Sequence, residues 1–89
     1  MLKLNLSKQS RKFLETLVPK HARQIAVKIS ELRNNPRPQD TKQLKGYEDY
    51  WRAESGEYRI IYRTENETLC VVIVGKRNDD DVYQKLSRH

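Results

Sequence analysis

Residues 68–74 read Thr-Leu-Cys-Val-Val-Ile-Val, seven uncharged and mostly β-branched positions in a chain of which 34% is charged. A run this short and this apolar, bounded by turn residues, predicts a strand that is apolar on both faces and therefore central in its sheet. Cys70 lies inside it, where a thiol behaves as a small buried hydrophobe. The other elements must supply this strand with neighbours and cover, and 89 residues leave room for one core and no second domain.

Two further segments read as strands, 50–54 and 57–63, with turns at Ser55-Gly56 and at Glu65-Asn66-Glu67. Loops of that length make a meander. At the start of the chain Leu2, Leu4 and Leu6 alternate with Lys3 and Asn5, the period of a half-buried strand. Ser7 is placed to cap a helix over 8–17 that buries Ser10, Phe13, Leu14 and Leu17. Pro19 breaks that helix and suits the first turn of another, 20–33, with Ala22, Ile25, Ala26, Ile29 and Leu32 on one stripe. Asn34, Asn35, Pro36 and Pro38 end it. After Gly75 the chain turns polar, and 79–86 suits a short helix with acidic residues at its start. The expectation is a single α+β domain over 1–89: an N-terminal strand, a helix hairpin, a three-stranded antiparallel meander and a short C-terminal helix. The helices cover one face of the sheet and leave the other open.

Charge and composition narrow the chemistry. The net charge of +6 favours polyanionic partners such as nucleic acid, the ribosome or an acidic protein. It comes from the first half, because residues 1–45 hold 11 Lys and Arg against 3 acidic residues, whereas 46–89 hold 7 against 9. A single cysteine permits no disulfide framework, and no apolar stretch suits a membrane span or leader, so a reducing cytoplasm is the expected compartment. Two histidines, His21 and His89, and three glycines argue against a histidine pair, a zinc site or a phosphate-binding glycine loop. No cofactor and no metal are implied.

Strand periodicity then assigns faces. Tyr58, Ile60 and Tyr62 suit the core, which sends Arg59, Ile61 and Arg63 the other way; Trp51 and Ala53 suit the core, which sends Tyr50, Arg52 and Glu54 outward. Arg52 becomes a near neighbour of Arg59 across the hairpin. Arg77 follows the central strand, and Tyr83 lies close enough to fold back over the same surface. Guanidinium forks bind phosphate oxygens and stabilise the added charge of a pentacoordinate transition state. A phenol among cations can take the proton of a 2′-hydroxyl, a route open only to RNA. Simpler readings stand beside these: Arg63 as a solvated charge, Trp51 as core, Lys45-Gly46 as a turn, and Asp79-Asp80-Asp81 as a helix start that also holds Arg77.

The segments Gln43-Leu-Lys-Gly46, Tyr50-Trp-Arg52, Ser55-Gly-Glu-Tyr-Arg-Ile-Ile-Tyr62 and Val74-Gly-Lys-Arg77 with Val82-Tyr83 resemble the RelE/ParE superfamily of type II toxins, on its RelE side. The resemblance covers essentially the whole chain. It implies a toxin that enters the ribosomal A site and cleaves mRNA to a 2′,3′-cyclic phosphate, held inactive in a hetero-oligomer by a RelB-like antitoxin. By position it makes Arg59 the transition-state stabiliser, Arg77 the leaving-group assistant, Tyr83 the base, Arg52 a phosphate-binding cation, and Lys45 and Lys76 accessory RNA contacts. Tyr50 and Glu54 depart from it, since RelE proteins often carry basic residues along that strand. The alternatives are a ParE-like inhibitor of DNA gyrase, which shares the fold, and a degenerate member that only binds antitoxin.

Overall fold

The computed structural model describes residues 1–77 and 81–88. Its elements are β1 (Lys3–Leu6), α1 (Lys8–Glu15), α2 (Pro19–Asn34), β2 (Lys42–Gln43), β3 (Trp51–Ser55), β4 (Tyr58–Glu65), β5 (Thr68–Lys76) and α3 (Asp81–Arg88). The acidic helix start at Asp79 and Asp80, and His89, lie outside the described residues. No helix among those described is long and apolar enough to cross a membrane.

The apolar run becomes an interior strand. The sheet order is β1-β5-β4-β3-β2, with β1 parallel to β5 and the other pairs antiparallel. Leu69 through Val74 are all buried. β1 reaches only as far as the Leu6–Val71 pair, so side chains serve the rest of the β5 edge. Ser7 Oγ donates to the Val72 carbonyl at 2.6 Å, and the Gln9 amide both donates to the Val74 carbonyl and accepts from its N–H at 3.0 Å. Ser7 also caps α1, its oxygen accepting from the Ser10 N–H at 3.0 Å. One serine thereby fixes the helix start against the strand it leaves.

The α1–α2 hairpin covers one face. Ile25, Ile29 and Leu32 pack on Ala53, Tyr58, Ile60, Tyr62, Leu69, Val71 and Val74, with Phe13, Leu14, Leu17 and Trp51 at the margin. Ala26, expected on the buried stripe, is exposed.

The opposite face is not open, which corrects the expectation. Leu44, Ile61, Val72, Ile73, Val82 and Leu86 form a second small core there, with Tyr50 and Tyr83 packed against it. Two features account for it. Val82 and Leu86 stand four apart on α3 and so share one stripe. A β-bulge opposite Ile61 and Tyr62 inserts one extra residue, so that Ile61 pairs with Ile73 while Tyr62 pairs with Val71. Val72 is the surplus position. Strict alternation would keep Ile73 on the side of Val71; the bulge turns it to the α3 side.

Candidate functional site

The hairpin between β3 and β4 sets the geometry. Its two-residue loop, Gly56-Glu57, pairs Ser55 with Tyr58, Glu54 with Arg59 and Arg52 with Ile61. Gly56 takes a φ of +60°, a left-handed conformation that favours glycine, while the nearest atoms a Cβ there would meet belong to the flexible end of the exposed Gln24 side chain, so it is the backbone that calls for glycine. The direct neighbour of Arg59 is therefore a carboxylate. Arg52, expected beside Arg59, is two pairs further along the ladder and so on the same face, diagonal to it. The cause is a one-residue error in the strand ends: a loop at 55–56 would pair Arg52 with Arg59, and the loop at 56–57 substitutes Glu54.

Glu54 is the hub. Arg59 Nη2 donates to Glu54 Oε2 at 2.7 Å, while Arg77 Nη1 stands 3.8 Å from Glu54 Oε1. The Arg59 hydrogen bond holds the Glu54 carboxyl below the usual carboxylate range; partial desolvation opposes this, and the charges of Arg59, Arg77 and Arg52 reinforce it. A carboxyl lowered in the folded state stabilises the fold above its unfolded value, and the stabilisation is lost as pH falls through the folded value. Glu54 is 41% exposed, so the contribution is at most about 1 kcal/mol. Glu54→Gln is expected to lower stability near neutral pH by up to about 1 kcal/mol and to leave it little changed where the wild-type carboxyl is protonated, so that the acid limb below about pH 4.5 flattens, as read by urea melts at several pH values.

Tyr83 closes the cluster from α3. Its hydroxyl accepts from Arg52 Nη1 at 2.6 Å, and the Arg59 guanidinium carbon lies 5.7 Å from its ring centroid. Arg59 is only 13% exposed, and its Nε is buried with no hydrogen-bond partner among the described residues. Gly75 is opposite Arg59 on β5 and puts no side chain beside it. Arg77 is anchored by its own N–H, which donates to the Glu57 carbonyl at 2.8 Å.

Arg52, Arg59, Arg77 and Tyr83 are thus brought together. Lys45 is exposed in the turn after Leu44. Lys76 pairs with Tyr58 and so takes a register position on the α1–α2 face. Arg63 pairs with Glu65 at 2.9 Å, a surface charge as its simpler reading has it. Trp51 sits beneath the Arg37 guanidinium, 4.2 Å from its centroid, and packs on the first core. Glu54 is the residue whose place in the site periodicity alone did not give, because its partner depends on register. Among the described residues no three His, Cys, Asp or Glu side chains gather as a metal would require.

Fold and site together define a small basic α+β domain with three arginines on one side of its sheet and a tyrosine brought to them by its last helix. Solved structures share this architecture. An archaeal RelE–RelB complex from Pyrococcus horikoshii OT3 matches with a TM-score of 0.76 at 26% identity, over 88% of this chain and 97% of that one. The isolated E. coli RelE toxin matches with a TM-score of 0.77 at 23% identity, over 99% and 97%. A RelB–RelE antitoxin–toxin complex from Methanococcus jannaschii matches at 0.68 and 25% identity, over 90% and 95%. No curated protein sequence matches the chain. A family profile described as "ParE toxin of type II toxin-antitoxin system, parDE" covers residues 4–81. The chain belongs to that family, within the RelE/ParE superfamily, and is a toxin of a type II toxin–antitoxin system.

Proposed function

We propose that this toxin is a metal-independent endoribonuclease of the RelE type, which cleaves mRNA in the ribosomal A site and so stops translation in the cytoplasm. The observation that carries the reading is the convergence of Arg52, Arg59, Arg77 and Tyr83 on one face, with an anionic group already held between two of the arginines. In the reaction the 2′-oxygen attacks phosphorus as the P–O5′ bond breaks, giving a 2′,3′-cyclic phosphate and a 5′-hydroxyl. Tyr83 serves as the base for the 2′-hydroxyl proton, and the Arg52 bond to its oxygen orients it. Arg59 binds the phosphorane oxygens through the guanidinium end that now meets Glu54. Arg77, the more exposed of the two at 44%, steadies the departing 5′-oxygen, which takes its proton from water. Lys45 serves as an accessory phosphate contact, and Lys76 as one away from the scissile bond. The similar RelE proteins crystallised with RelB support a RelB-like antitoxin as the partner in a hetero-oligomer.

Purified toxin incubated with programmed ribosomes is expected to cut mRNA within the A-site codon, mapped by primer extension, and Tyr83→Phe to cut about 10²–10³-fold more slowly. Equal cutting by Tyr83→Phe would remove Tyr83 as the base. The ParE name of the family profile favours a second reading, inhibition of DNA gyrase. Loss of gyrase supercoiling without mRNA cleavage would establish that reading instead.

A further inference from the structure

We propose that Glu54 is an intramolecular competitor of the substrate phosphate: its carboxylate occupies the anion position between Arg59 and Arg77, and RNA binds by displacing it. The inference rests on the endoribonuclease reading for the identity of the substrate.

Three observations carry it. First, the two carboxylate oxygens are divided between the two arginines, Oε2 at 2.7 Å from Arg59 and Oε1 at 3.8 Å from Arg77. A phosphodiester presents the same charge and a similar pair of non-bridging oxygens to the same donors. Second, the arrangement is fixed by register: Glu54 and Arg59 are directly opposed across the hairpin, so the carboxylate is at the grip without any loop having to close. Third, the pair is asymmetric. Arg59 is 13% exposed, lies against the Tyr83 ring and has its Nε buried, whereas Glu54 is 41% exposed. When an outside anion arrives, the glutamate is the partner free to swing into water while the guanidinium stays.

Glu54 therefore plays two parts at once. In the free toxin it keeps Arg59 and Arg77 pointed at a common anion and offsets their mutual repulsion. Against substrate it removes one unit of positive charge from the grip and must be expelled before chemistry, so its cost is carried by KM and not by kcat. An apolar residue would do neither, and a basic residue would bind RNA phosphates without regard to position.

The test compares wild type with Glu54→Gln, and with Glu54→Ser should Gln fail to fold, thermal melts confirming the fold. The probe is inorganic phosphate, followed by NMR of the arginine side-chain N–H signals. Arg59 is expected to titrate at roughly fivefold to tenfold lower phosphate in the variants, a gain abolished for the whole site in an Arg59→Ala background. On programmed ribosomes the KM for cleavage should fall by a similar factor. An unchanged or higher phosphate midpoint would overturn the proposal and leave Glu54 as a strut for Arg59. Absence of cleavage by both proteins would instead sink the endoribonuclease reading, with the phosphate titration still deciding the role of Glu54.

Discussion

Arg59→Ala is expected to lower A-site cleavage by about 10²–10³-fold, the scale seen when one preorganised donor to a developing oxyanion is removed. The effect should exceed that of Arg52→Ala, because the two arginines hold different positions. Arg52 spends one donor on the Tyr83 hydroxyl at 2.6 Å. Arg59 is confined between Glu54 and the Tyr83 ring, with a buried Nε still unpartnered among the described residues. A guanidinium held this way needs little reorganisation when charge accumulates on phosphorus. Arg59→Lys keeps the charge and loses the planar fork, so it should recover only part of the rate. Single-turnover cleavage on programmed ribosomes gives the comparison, and melting curves check that each variant is folded. If Arg59→Lys cut as fast as the parent, the fork geometry would be irrelevant and the site would be acting as a diffuse cation.

Much of this site was legible in the sequence because β4 obeys its period. Tyr58, Ile60 and Tyr62 enter the first core, and Arg59 and Ile61 face away. The strand of residues 68–74 was legible from its composition, since a run of seven uncharged residues, six of them apolar, in so charged a chain suits an interior strand. Three things were not, each for a physical cause. β2 is two polar residues, Lys42 and Gln43, and no pattern can mark a strand that short. The bulge at Val72 lies within a uniformly apolar run, so nothing in the residue types shows where the alternation slips. The opposition of Glu54 and Arg59 depends on which two residues form the hairpin loop, and a shift of one residue substitutes Arg52 for Glu54. One signal for the covered face was present. Ile61, apolar between Arg59 and Arg63, has no reason to face water, and Val82 with Leu86 gives α3 a stripe to lay over it.

That second core leads to the other large effect. Ile61 is fully buried and packs with Leu44, Val72, Ile73, Val82 and Leu86. Ile61→Ala removes apolar contact and leaves a cavity in a cluster of only six buried side chains, for an expected loss of about 2–4 kcal/mol. In a domain of this size each kcal/mol moves Tm by roughly 4–8 °C, so the drop should be plain in a thermal melt. Ile29→Ala in the first core should cost a similar amount of stability. The two should differ in activity. Tyr83 is the residue after Val82, and its hydroxyl meets Arg52, the cross-strand partner of Ile61. Loosening the contact of Ile61 with Val82 therefore moves the proposed base relative to the arginines, and small displacements of reacting groups are expensive. Ile29 lies across the sheet from all of them. Measured well below both melting temperatures, Ile61→Ala should cut about 10–100-fold more slowly than Ile29→Ala. Equal activity at equal stability would mean that α3 is positioned for cleavage by something other than the core beneath it.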